Sequence, residues 1–323
     1  MSLAELDAAG ITDPRLRDSY LRCRQLNAAH GKTYFLATRM LTPAQRPAIH
    51  ALYGFARWAD DVVDVPPAGA TTADLAAALH DVAEELFTGL GTGRSLDPVL
   101  AAVIDTAHRF SITQDLFADF LASMRMDLTV TRYVDRTALG RYTRGSAEVI
   151  GLQVLPVLGT VTHRDHAAPA AAALGLAFQL TNFLRDIAED FERGRVYLPA
   201  DELAAFGVDE DLLGWCVSNR RTEPRVSRAM ADQIATTRAI YRRAAKGIPM
   251  LAPVSRPCVR TAYVLYAEIL DQIEAADYDV FSRRAHVGTR RKVSVAADAF
   301  ARALWARRPA NSARLHATGG GSR

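Results

Sequence analysis

The chain of 323 residues is poor in cysteine, with only Cys23, Cys216 and Cys258. They lie far apart and form no CxxC pair. This excludes a disulfide framework and a cysteine-ligated zinc, and suits free thiols in a reducing cytosol. No uninterrupted apolar run of about 18 residues occurs, so no membrane span is expected. The best candidate, "VIGLQVLPVLGTV", is short and holds Gln153 and Pro156. The N-terminal "MSLAELDAAG" lacks the basic start and apolar core of a secretory signal. An excess of one charge sign is missing too. The 39 Lys and Arg face 36 Asp and Glu, for a net charge of +3, which argues against nucleic acid as a partner. "HGKTYF" ends like a P-loop, but Leu26 stands where the first glycine belongs. "GLGTGR" lies between helical patterns and not after a strand. Neither a nucleophile elbow nor HExxH is present. Strand signals are sparse: "DLTVTRYV" alternates briefly, with nothing to pair with it.

What is abundant is helical periodicity. "TPAQRPAIHALYGFARWADDVVD" reads as a helix with Thr42 as N-cap, Pro43 at the first helical position and Gln45 completing a capping box. Leu52, Phe55, Ala56, Ala59, Val62 and Val63 then recur at helical spacing. "TTADLAAALHDVAEELFTGL" restarts from a Thr/Asp cap and runs to the glycines of "GLGTGR". Further helices are expected near 97–108, 113–126, 137–159, 167–192, 201–206, 209–218, 225–246, 257–274 and 290–307. No fixed-period repeat and no linker-like stretch interrupts them. The expectation is a single all-α domain over 1–308 and a disordered tail over 309–323. From Arg283 to the C-terminus there are ten Lys or Arg against one acid, Asp298. Such a segment either touches anionic lipid or is a solvated helix end.

One helix carries an unusual stripe. In "QLTNFLRDIAEDFERGRVYLP", Asn182, Asp186 and Asp190 follow at steps of four and share one helix face. A second stripe lies more than a hundred residues earlier: "YGFARWADDVVD" places Asp60 and Asp64 four apart, with Asp61 between them. Like charges at this spacing repel, and no lysine at four-residue spacing relieves either pair. Each stripe is a solvated polar face or half of a divalent-metal site. Arginine accompanies both: Arg57 in the first, and Arg185, Arg193 and Arg195 around the second. Intermixed carboxylates and arginines suit a metal–diphosphate site. Mg²⁺ takes one or two carboxylates plus phosphate oxygens, and arginine grips the remaining oxygens in bidentate fashion. Departing diphosphate would be stabilised as its charge develops, and the carbocation left behind would need a dry, aromatic-lined cavity.

These residues carry a resemblance. The sequence resembles the squalene/phytoene synthase family, and within it the bacterial phytoene synthases of carotenoid pathways, from about Leu26 to about Phe300. "YGFARWADDVVD" looks like the family's first aspartate-rich motif and "QLTNFLRDIAEDFERGRVYLP" like its second. "AAHGKTYFLATRML" is similar to its N-terminal flap region, "RYTRGSAEVIGLQVLPVLG" to its central motif, and "RPCVRTAYVLYAEILDQIEAADYDVFSRRAHV" to its C-terminal helix. The resemblance implies an isoprenoid-synthase helical bundle around a central cavity. It implies Mg²⁺-dependent head-to-head condensation of two geranylgeranyl diphosphates through prephytoene diphosphate to phytoene, with Mn²⁺ as the alternative ion and no NADPH. Carried over by position, Asp60, Asp64, Asn182, Asp186 and Asp190 would hold metal. His30, Lys32, Arg57, Gln179, Asn182, Arg185 and Arg195 would contact diphosphate, and Arg290 would close the site. Tyr142, Tyr197 and Tyr266, with Arg57 and Arg195, would serve the ionisation step, orienting diphosphate or taking up the proton. One departure is Glu148, which stands where many relatives have glycine; facing inward, it would alter how the second substrate lies. The rivals are dehydrosqualene or squalene synthesis from farnesyl diphosphate, a head-to-tail synthase or terpene cyclase, and a non-catalytic helical adaptor of the same fold. A hydrocarbon product further implies a cytoplasmic enzyme in peripheral contact with a membrane, with downstream carotenoid enzymes as partners.

Overall fold

The structure is a computed structural model that describes residues 3–288, 290, 291, 294, 295, 300 and 303. The expected helix over 290–307 and the expected tail over 309–323 fall largely or wholly outside the described residues. Fourteen α-helices occur among those described. They are α1 (Leu3–Ala8), α2 (Pro14–His30), α3 (Lys32–Thr38), α4 (Arg46–Asp64), α5 (Thr72–Thr92), α6 (Pro98–Phe110) and α7 (Gln114–Met126). After them come α8 (Arg136–Thr143), α9 (Val149–Leu158), α10 (Arg164–Glu192), α11 (Ala200–Ala204), α12 (Glu210–Asn219), α13 (Pro224–Ala245) and α14 (Arg256–Ala275).

The local chemistry explains most boundaries. Asp13, Asp97, Asp135 and Asp209 each accept a backbone N–H at the start of a helix. Thr71 and Asp74 form a full capping box, and α5 ends at Gly93 in the left-handed region. The start of α4 differs from expectation. Thr42 does not cap a helix that begins at Pro43. Residues 43–45 form a turn and the helix begins at Arg46. Half of the expected box survives, since the Gln45 side chain accepts from the Thr42 N–H at 3.2 Å. The other end of Gln45 explains the delay: its amide donates to Val157 O and to Ser255 Oγ, both at 2.9 Å, so it ties three helices together.

The stretch expected as one helix over 137–159 contains a π-helical turn, Arg144–Glu148, between α8 and α9. Gly145 lets this turn approach α7 so closely that a Cβ there would stand 2.0 Å from the Asp119 carbonyl. A π turn inserted in a helix commonly marks a functional wall. "DLTVTRYV" is not wholly unpaired either: Arg132 forms one parallel bridge with Val196.

Two apolar cores result. One gathers α1, α2, α4, α5, α6 and α7, with Phe55 against Phe117 and Phe120. The other gathers α3, α8 and α10 to α14. Between them lies a cavity of about 810 Å³. Helix α10 is its long wall and packs against α9, α13 and α14. By length and composition α10 is the one described helix apolar enough to cross a membrane. Its residues 171–176 are only half-buried, and Ala171, Leu174 and Gly175 among them line the cavity.

Candidate active site

Helix α4 presents the first acidic stripe to the cavity through Arg57, Asp60 and Asp64. Asp61 turns aside and pairs with Arg57 one turn earlier, and Asp60 lies 4.0 Å from the same guanidinium. Asp61 thus holds the arginine in place while Asp60 faces the open space. The Arg57 Nε is buried with no hydrogen-bond partner among the described residues, a donor awaiting an acceptor. The Asp60 side chain is 46% accessible, but to cavity water walled in by protein. That confinement, and then the nearby Asp64, push its carboxyl up to about 7.

Helix α10 supplies the facing stripe. Gln179, Asn182, Arg185, Asp186 and Asp190 all line the cavity. Arg185 grips Asp186 with Nε and Nη2 at 2.7 and 2.5 Å, and Arg284 donates to the same carboxylate at 2.7 Å. Burial alone would raise Asp186, but the two arginines outweigh it and hold the carboxyl below its ordinary value. Asp190 has no ion pair among the described residues. Desolvation, and then Asp186 one turn away, push it up to about 7. Asn182 Oδ1 is buried and has no hydrogen-bond partner among the described residues. The two stripes are joined at one point: Arg195, just beyond α10, donates to Asp64 at 2.9 Å.

Beside that strut lies a carboxylate that spacing arguments missed. Asp127 follows α7, lines the cavity, and accepts from the hydroxyls of Tyr142 at 3.0 Å and Tyr197 at 3.4 Å. Arg195 also reaches the Asp127 carbonyl at 3.4 Å. Burial pushes Asp127 up to about 6 even though Arg195 opposes it. Both phenols are raised by burial and stay neutral. The Tyr197 ring stacks on Phe183 at 4.1 Å and 7°, and Tyr142 stacks on Tyr197 at 5.5 Å. Deeper in, Tyr266 stands 4.5 Å from Phe178 and 5.1 Å from Tyr34.

His30 and Lys32 stand exposed at the rim. Arg290 is exposed and is not on the lining. Arg284 of the same segment is, and it was missed because it sits in coil with no periodicity to mark it. Glu148 does not face the cavity: it lies 3.6 Å from Arg144 on the outer side of the π turn. The turn instead offers Ser146, whose Oγ is buried without a partner among the described residues.

Comparison with known proteins agrees with this geometry. A dehydrosqualene synthase solved with a ligand superposes with a TM-score of 0.79 at 24% identity, covering 88% of this chain and 96% of that one; at that identity the likeness is one of fold. The squalene synthase HpnC from Alicyclobacillus acidocaldarius gives 0.74 at 26% identity, covering 84% and 98%. The fold is therefore the isoprenoid-synthase helical fold, with both aspartate stripes on its cavity. Residues 27–291 match the family model described as squalene/phytoene synthase. A phytoene synthase of Arthrospira platensis is 40% identical over 288 residues, 85% of this chain and 90% of that protein. Phytoene synthase 1 of Zea mays, a chloroplast protein, is 38% identical over 294 residues, 90% and 70% of the two chains. The chain belongs to the squalene/phytoene synthase family.

Proposed function

We propose that the chain is a prenyltransferase that joins two geranylgeranyl diphosphates head to head into phytoene. The observation that carries this is the pair of aspartate stripes, from α4 and α10, facing one cavity that also has an apolar wall. The phytoene synthases at 38–40% identity support the twenty-carbon substrate. The farnesyl diphosphate alternative draws on fold neighbours at 24–26% identity. A non-catalytic adaptor would have no use for two intact stripes at this cost in repulsion.

The residues fit a divalent ion. Burial and then a carboxylate one turn away push Asp60 and Asp190 up to about 7, and among the described residues Asn182 offers an orphaned buried oxygen beside Asp186. Among the described residues no three carboxylate, imidazole or thiol groups converge on one point. The ion, Mg²⁺ in our reading, would be held by Asp60 and Asp64 or by Asn182, Asp186 and Asp190 together with phosphate oxygens. When bound, it supplies Lewis-acid stabilisation of the departing diphosphate.

The chain's own groups do the rest. Arg57 offers its free Nε to a phosphate oxygen, and Arg185 and Arg195 face the same space. Lys32 and His30 would close over the diphosphate from the rim. The rings of Phe178, Tyr266 and Tyr34 present π faces to the cation left behind. The apolar wall of α10 keeps water from quenching it. Tyr142 and Tyr197 stay neutral, so either can accept a proton only by passing its own to Asp127. We expect the enzyme to act in the cytoplasm against a membrane, where a hydrocarbon can leave. The test is stoichiometric. Wild type with geranylgeranyl diphosphate should release two diphosphates per hydrocarbon formed, and Asp186→Ala should release almost none. Undiminished release from Asp186→Ala would defeat the reading.

A further inference from the structure

The cavity has a polar end and an apolar end. Helix α10 reaches Asp186 about 33 Å from its start at Arg164. The opposite end of the bundle forms where α9 ends, α10 begins, α13 ends and α14 begins. Thr160 bridges to Leu251, and the Val161 N–H donates to the Met250 carbonyl at 2.8 Å. The cavity wall there is small or apolar: Ala167, Ala170, Ala244, Gly247 and Leu251. It is closely fitted as well, since a Cβ on Gly247 would stand 2.4 Å from that of Ala170.

Outside this wall basic side chains outnumber acidic ones. Arg164, Arg242, Arg243, Lys246 and Arg260 are exposed, and none of their side chains has an ion pair or hydrogen bond among the described residues. Among the described residues Arg256 bonds only the carbonyls of Leu251 and Pro249. The neighbouring acid Asp165 lies 3.4 Å from His163. Further along the same two helices Arg238 is neutralised by Asp271 and Glu274, whereas Arg228 stands singly near the other end of α13. Val161, 55% exposed, adds an apolar contact at this end.

We propose that this end of the bundle is a docking surface for an anionic lipid bilayer, gripped by Arg164, Arg242, Arg243, Lys246 and Arg260. Charge complementarity selects the occupant, because unpaired cations gathered on one face are attracted to a negatively charged lipid surface. Placement supplies the reason: the surface covers the apolar end of the cavity, the end farthest from the diphosphate groups. This rests on the proposed hydrocarbon product only for its purpose; binding to lipid is measured without turnover. The surface belongs to the folded body and does not depend on the basic tail.

The experiment is co-sedimentation of the full chain with vesicles of phosphatidylcholine alone and with added phosphatidylglycerol. Wild type should bind the anionic vesicles and release them as salt rises. Arg242→Glu with Lys246→Glu should weaken that binding at least about 30-fold, from about 1 kcal/mol for each basic residue removed. Arg221→Glu with Arg228→Glu, the same charge change at the far end of α13, should leave it nearly unchanged. Turnover in detergent should survive in both double variants, since none of the four residues lines the cavity. If detergent turnover is absent even in wild type, the proposed reaction fails while the vesicle result still decides the surface. Equal binding by the two double variants, equal binding of wild type to neutral vesicles, or retention on heparin without vesicle binding would each overturn the proposal.

Discussion

Replacing Asp60 or Asp190 by asparagine should stabilise the ligand-free protein while destroying its capacity to gain stability from Mg²⁺ and diphosphate. Both carboxyls are pushed from an ordinary 3.8 up to about 7. In a dry site that displacement would correspond to about 4 kcal/mol for each group. Asp60 keeps 46% of its side chain open to cavity water, which screens much of it, so about 1 kcal/mol is the expected gain from either substitution. For a chain of this size that is about 1.5 °C in Tm. The pH dependence follows. Between about pH 4 and 7 the folded state holds protons on these groups that the unfolded state has already released, so ligand-free wild type should become more stable as pH falls through 7. Asp186 acts in the opposite sense: its depressed carboxyl contributes stability that disappears as pH drops below about 4. Thermal melts from pH 5 to 8, with and without Mg²⁺ and inorganic diphosphate, separate these effects. Wild type should rise on adding both ligands, and the Asn variants should start higher, show a flatter pH slope and rise little. Variants that melt below wild type with the slope intact would refute the reasoning.

Asp127→Asn keeps the shape of the side chain but removes the charge behind Tyr142 and Tyr197; kcat should fall about 100-fold with KM little changed, read by steady-state kinetics. Arg195→Met breaks the strut to Asp64 and should cost about 100-fold in turnover; Arg195→Lys should restore little, because a lysine cannot reach Asp64 and the Asp127 carbonyl together. Glu148→Gln should leave the rate within about twofold and the product unchanged, since the side chain faces away from the cavity. An altered product from that variant would reverse the placement.

Much of this site is legible before folding because it is written in helical period. Two carboxylates four apart mark one face of α4, the Asn182 stripe marks one face of α10, and residue type does the rest. Asp127 carries no such mark. It sits in a turn after α7, and only the packing of α8 and of the strand-like piece at Val196 brings two tyrosines to it. Arg284 was hidden for the same reason. The π turn depends on the close fit of Gly145 to α7 and of Gly175 to Ala147, which no local propensity encodes. At this turn Ser146 lines the cavity and Glu148 does not, so the condition on which Glu148 would alter the lie of the second substrate is not met. At Thr42 the local capping signal lost to a tertiary one, the bonds of Gln45 to Val157 and Ser255.

The most direct test of the central claim is the mass of the hydrocarbon made by the purified protein with Mg²⁺ and no NADPH, given geranylgeranyl and farnesyl diphosphate in separate reactions. A forty-carbon phytoene from the first, in preference to any product from the second, is the predicted result. A thirty-carbon hydrocarbon formed preferentially from farnesyl diphosphate, or no condensation from either, would contradict it.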